Sequence, residues 1–166
     1  MSLTGKPQLT SDALLANDGF WPALVLNEFL SNYRLPPEYA DDVIKTGVTL
    51  SMIHVNNQLS AVRTVVEELP YASLEAYCAA NPRPINDDDA LLVQYKHAVF
   101  ARAKAFLLQQ FNTLNRRPVA ENAAKESPET EQWWLDQSQA AIYSFFALFL
   151  PDQPVAPLSG FHVALL

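Results

Sequence analysis

With 166 residues, 49% of them apolar, and a net charge of −7 from 18 Asp and Glu against 11 Lys and Arg, the chain is sized for one domain with a real core. The single cysteine, Cys78, excludes an internal disulfide and any zinc site built from several thiolates, and the acidic balance without a Lys/Arg cluster argues against an electrostatic grip on nucleic-acid phosphates. The longest apolar runs, such as Ile142–Leu150 with its Tyr143 and Ser144, fall well short of the roughly 20 residues needed to cross a bilayer, and residues 1–10 lack the apolar stretch of a secretory signal, so a soluble protein of the cell interior is expected.

Residues 1–19 are polar, hold Gly5, Pro7 and Gly19 and show no periodicity, which predicts a flexible N-terminal segment ahead of a domain over 20–150. Phe20-Trp21-Pro22 opens that domain. Pro22 fits a first helical turn, and Ala23 to Tyr33 places Leu26, Phe29, Leu30 and Tyr33 along one flank of a short helix. Pro36-Pro37-Glu38 starts the next helix, whose stripe of Val48, Met52, Val55, Leu59, Val62, Val66 and Leu69 steps by four and three residues until Pro70 stops it. About 30 residues at 1.5 Å rise give roughly 45 Å of helix. Gly47 costs this helix about 1 kcal/mol against Ala, and marks either a kink, a close approach by a neighbour or a break into two helices.

Tyr71–Ala80 adds a short helix before the prolines of Asn81-Pro82-Arg83-Pro84. Asn86 then reads as a cap, with Asp87, Asp88 and Asp89 against the positive end of a helix running to about Leu114. That helix is apolar nearly all round, with Leu92, Tyr95, Val99 and Phe106 on one side and Ala98, Ala101 and Ala105 on another; cover is expected from its own bundle and from another subunit. Residues 115–125 form a polar loop, and Ser127-Pro128 caps a last helix whose core face is Trp134, Ala141, Ile142, Phe145, Leu148 and Phe149. Residues 151–166 form an extended tail ending in Phe161-His162-Val163-Ala164-Leu165-Leu166, too apolar to be content in water. The fold expected is an all-α bundle of about four to five helices, including one or more long ones, between a flexible start and an apolar tail.

A search for chemistry finds no constellation. His54, His97 and His162 lie on separate elements without a closely spaced pair, and four glycines form no phosphate-cradling loop and no nucleophile elbow. The Asp87-Asp88-Asp89 run lacks the alternating ligands and glycine of a calcium loop, and helix capping accounts for it. Cys78 reads as a small buried apolar residue, and of Trp133-Trp134 one is expected in the core and one at an interface. No catalytic residue, metal ligand, cofactor or small-molecule substrate is assigned, although a site scattered over His54, Glu67 and His97 stands as an enzymatic alternative.

Three stretches resemble the head completion/stabilisation protein family, the L-type protein of temperate contractile-tailed phages and prophages. They are Ile44-Lys45-x-Gly47 through Asn56-x-x-Leu59 to Arg63, then Tyr95-x-x-Ala98-Val99-x-Ala101-x-Ala103-x-Ala105-x-Leu107, and Trp134-x-Asp136 leading into Ala140-Ala141-Ile142. Phe20-Trp21-Pro22 is similar to the family's entry to its first helix, so the likeness runs over roughly 20–147 in the family's order. It implies a non-enzymatic virion adaptor, made in the host cytoplasm, that closes a DNA-filled capsid as a ring beneath the portal protein, meets tail-completion proteins and lets DNA pass. The interaction residues expected are Ala98, Ala101, Ala105 and Trp133 in the bundle and Phe161, Val163, Leu165 and Leu166 in the tail. The other reading from the residues is a helical protein–protein interaction module of a mobile element, binding a soluble partner.

Overall fold

The computed structural model describes residues 12–35, 40–114 and 130–152. Among them are two short antiparallel strand pairs and six helices: β1 (Leu14–Leu15), β2 (Leu24–Val25), α1 (Leu26–Asn32), α2 (Asp41–Gln58), α3 (Ser60–Glu68), α4 (Leu74–Ala80), β3 (Pro84–Ile85), β4 (Asp88–Asp89), α5 (Ala90–Leu114) and α6 (Glu131–Phe149). The chain is mostly helical, as its periodicities require, and the two strand pairs are the addition. Pro36-Pro37-Glu38, the loop over 115–125, Ser127-Pro128 and the tail from residue 153 lie outside the described residues.

Helix α5 is the axle. Its low amphipathicity in sequence has a simple cause: three different helices cover three of its faces. Toward α2 it turns Tyr95, Phe106 and Leu107; toward α1 it turns His97 and Phe100, the latter stacked on Phe29 at 5.3 Å; toward α6 it turns Ala98, Ala101 and Ala105. The pairings of Gly47 with Phe106 and Asn56 with Tyr95 run in opposite chain directions, so α2 is antiparallel to α5. The same holds for α6, whose Ser144 bonds Gln94 and whose Ser138 bonds Ala98.

The long apolar stripe is buried as its spacing predicts, from Val48 through Val66, but it belongs to two helices and not to one. The interruption is at Leu59 (φ −87°, ψ 10°), while Gly47 stays helical and is buried. There a Cβ would lie 3.1 Å from Phe106 Cδ1 and 3.5 Å from Leu107, so the glycine admits the side chains of α5 close to the α2 backbone. Leu69, last in the stripe, is extended (ψ 163°) and 43% exposed, because the residue before Pro70 is pushed out of the helical region.

Two starts differ from the sequence reading. Asn86 (φ +51°) is a turn residue of the β3–β4 hairpin and not a helix cap; the cap is Asp89, whose carboxylate accepts from the N–H of Leu91 at 2.9 Å and of Arg83 at 2.7 Å. Burial alone would raise the Asp89 pKa, but these N–H groups and the Cys78 thiol outweigh it and hold the carboxyl below its ordinary value. At α6, Thr130 caps by accepting from Trp133 N at 3.1 Å.

Residues 12–19, grouped by composition with the N-terminal segment, are tied into the body. β1 pairs with β2, and Gly19 (φ +90°) supplies the left-handed residue of a turn in which Asp18 accepts from the N–H groups of Phe20 and Trp21. Asn17 completes a closed ring of three hydrogen bonds: its Nδ2 donates to Tyr95 Oη (2.7 Å), that hydroxyl donates to Asn56 Oδ1 (2.7 Å), and Asn56 Nδ2 donates to Asn17 Oδ1 (2.8 Å). Trp21 stacks on the Tyr95 ring at 4.9 Å and 4°.

Removing the hydroxyl with Tyr95→Phe leaves one amide donor and one amide acceptor of this ring unmatched, and is expected to cost about 1–3 kcal/mol by urea unfolding. At Gly47, Ala is expected to be tolerated, since Phe106 needs to give by a few tenths of an ångström, whereas Leu overpacks the α2–α5 contact and lowers stability by about 1–3 kcal/mol in the same assay.

Candidate interaction surface

Most of the residues that carry the sequence resemblance are absorbed by the fold. Asn56 and Tyr95 form the polar ring, Gly47 receives α5, and Arg63 holds the N-terminal turn: its guanidinium pairs with Asp18 at 2.9 Å and Glu67 at 2.8 Å and lies 5.1 Å from the centre of the Phe20 ring. Both ion pairs are more than a third exposed and so contribute little to stability.

The alanine face of α5 is likewise used within the chain. Ala98, Ala101 and Ala105 are 0%, 0% and 1% exposed, and their small side chains let α6 come close enough for Ser138 Oγ to donate to Ala98 O at 2.7 Å. These three positions are thus covered within the chain, Ala101 and Ala105 beneath Trp134 of α6. Trp134 seals the same seam, against Ala101 and Ala105, while its neighbour Trp133 is 41% exposed, with the two rings edge to face at 4.6 Å. Phe161, Val163, Leu165 and Leu166 lie outside the described residues.

Lys104 is the buried charge of the bundle. It is 4% exposed, and its ammonium donates to the carbonyls of Tyr33 (2.7 Å) and Arg34 (2.6 Å) just past the C-terminus of α1, where the helix dipole favours a cation. The Trp134 ring lies 5.9 Å away. One lysine thus fastens the end of α1 to α5, and no such anchoring is visible in the periodicity of the sequence.

The groups capable of chemistry are individually accounted for. The Cys78 thiol is pushed up to about 12, first by burial and then by its hydrogen bond to Asp89, which keeps it from acting as a thiolate. His97 Nδ1 shares a hydrogen bond of 2.7 Å with the Tyr33 hydroxyl, and His54 Nε2 shares one of 2.7 Å with Gln58. His54, Glu67 and His97 are not brought together: Glu67 pairs with Arg63 on α3, and the two histidines sit on different helices with different partners. Among the described residues no group of three His, Cys, Asp or Glu is placed to hold a metal ion.

Exposed apolar groups are concentrated on α2. Val43, Leu50 and Ile53 are 40%, 48% and 53% exposed and follow a 7- and 3-residue spacing on the side opposite the core stripe. Beside them a cleft of about 330 Å³ opens between α2, α5 and α6, lined by Leu50, His54, Arg102, Phe106, Glu131 and Leu135 among others. Burial lowers the Arg102 pKa, and among the described residues no carboxylate forms an ion pair with it. This aliphatic and cationic surface had no clear signature in sequence, because the core stripe on the same helix dominates its periodicity.

The description "phage head completion protein (GPL)" belongs to the family model that matches residues 15–147, from β1 into α6. A curated relative, the probable head completion/stabilization protein of Haemophilus phage HP1 (strain HP1c1), is 30% identical over 118 residues, which cover 71% of this chain and 77% of the relative. No solved structure matches the chain at a significant level.

Burial lowers the pKa of His97, and burial followed by the Arg102 charge lowers that of His54. Between the ordinary imidazole value of about 6.5 and the lower folded values, the unfolded chain binds more protons than the folded one. Stability should therefore fall as pH drops below about 6.5, with urea midpoints at pH 7.5 above those at pH 5, and the dependence should be shallower in His97→Gln.

Proposed function

We infer the function of this chain from one premise: it belongs to the phage head completion protein (GPL) family. It is a structural component of a phage head and acts in completing the capsid; the family is not one of enzymes. The finer reading is that the chain docks beneath the portal ring of a DNA-filled capsid, forms a homo-oligomeric ring there and offers a surface to the tail-completion proteins. What supports this most is the extent of the match, which takes in nearly the whole helical body and not one helix of it.

The physical character of the molecule agrees with such a role. A subunit that works by position needs a stiff body, and α5 with its three covering helices provides one. It also needs surface to give to neighbours; α2 offers Val43, Leu50 and Ile53, and Trp133 stands at the start of α6. A net charge of −7 favours loose passage of DNA through a ring, since like charges keep contacts from forming. In this reading Ala98, Ala101 and Ala105 set the position of α6, Trp133 is a direct contact, and the tail bearing Phe161, Val163, Leu165 and Leu166 is the arm that reaches a neighbour or the portal.

Sedimentation of the purified chain with the portal protein of the same genome is expected to give a large complex with many copies per portal ring. No association at micromolar concentration overturns the adaptor reading and favours a helical interaction module with a soluble partner. Deleting residues 151–166 is expected to abolish docking with the helical circular-dichroism signal intact, and Trp133→Ala to weaken docking about tenfold while lowering stability by about 1 kcal/mol through the lost edge-to-face contact with Trp134. Full docking by the truncated chain removes the tail from the mechanism.

A further inference from the structure

We propose that the β3–β4 hairpin tip of one copy of this chain docks into the α2–α5–α6 cleft of the next, Ile85 entering among Leu50 and Phe106 and the carboxylates of Asp87 and Asp88 meeting Arg102. This rests on the reading of the chain as a ring-forming subunit and names the contact that would close the ring.

The two surfaces complement each other in shape and charge. The hairpin projects from the first turn of α5 and is held there by Arg83, whose N–H donates to Asp89 (2.7 Å) and whose carbonyl accepts from Ala90 N–H (2.9 Å). At its tip an aliphatic side chain, Ile85, is 52% exposed next to Asn86, Asp87 and Asp88, all exposed. A β-branched apolar residue flanked by two carboxylates on a turn this tight is a compact, preorganised ligand. The cleft offers the converse: apolar walls from Leu50, Phe106 and Leu135, and the Arg102 guanidinium, partly buried beside His54 and without a carboxylate partner among the described residues. Glu131, on the α6 side, lines the cleft without forming an ion pair with Arg102. Arg102 is therefore the cationic group of the cleft that an incoming carboxylate can meet.

Geometry then decides between contact within and between copies. The hairpin sits at Ala90 and the cleft spans Arg102 to Gln109 on the same straight helix, so roughly 20–30 Å of α5 separates them. A hairpin fixed at one end cannot fold back over that distance. The contact must join two copies, and because it pairs unlike surfaces it can repeat head to tail, the kind of contact that closes into a ring when the rotation per subunit allows.

The test mixes two full-length variants, Ile85→Cys and Leu50→Cys, alone at millimolar concentration and bound to the portal protein, and oxidises them; Cys78 is buried and serves as a silent background. A disulfide-linked 85–50 dimer is expected, in yield well above a control pair of Ile85→Cys with Ser31→Cys. Adding Arg102→Glu to the Leu50→Cys chain is expected to cut the yield about tenfold, and adding Asp87→Lys with Asp88→Lys to the Ile85→Cys chain to restore it, with circular dichroism confirming that each variant is folded. Portal binding without the 85–50 link overturns this contact and leaves the adaptor reading standing. The link without portal binding supports the contact and overturns that reading, and the absence of both overturns both.

Discussion

Everything in this molecule is organised by the burial of α5 on three sides. A 25-residue helix whose faces meet α1, α2 and α6 separately cannot be amphipathic in the ordinary sense, and it selects side chains by neighbour: aromatic and leucine toward α2, aromatic toward α1, alanine toward α6. The differences in size set the distances. Alanines let α6 come near enough for a side-chain hydroxyl to reach a backbone carbonyl, and on the opposite flank the saving of bulk is made by α2, through Gly47. Each neighbour is thus fitted to α5, and not α5 to any one of them.

Apolar packing alone would leave the ends of the covering elements loose, and polar groups fasten them. Lys104 secures the end of α1 through two carbonyls, Asp89 secures the start of α5 together with the hairpin before it, and the Asn17–Tyr95–Asn56 ring secures the N-terminal turn against two helices at once. All three satisfy partly or fully buried polar atoms on residues far apart in sequence, where an unmatched group would cost about 1–3 kcal/mol. They fix which of several similarly apolar arrangements the chain adopts.

The helices were legible because their signals are local. The stripe from Val48 to Val66 and the core face of Trp134, Ala141, Ile142 and Phe145 follow from spacing alone, and both are buried. The N-terminal turn was illegible, since its order depends on Tyr95 and Asn56, partners 78 and 39 residues from Asn17. The hairpin was illegible for a different reason: four acidic and amide residues before a helix look the same to a capping rule whether they extend the helix or turn ahead of it. The candidate surface was hardest, because Leu50 and Ile53 share a helix with the core stripe, and a burial pattern does not announce which apolar residues are left over.

The Asn17–Tyr95–Asn56 ring has an implication for how such a chain can diverge. Each member donates to one of the other two and accepts from the second, so loss of any one side chain leaves an unmatched acceptor on one survivor and an unmatched donor on the other. Descendants of this sequence should carry the trio intact or have exchanged all of it for apolar residues of matching volume. A lineage holding two of the three would mark a chain in transit, less stable than either of its endpoints.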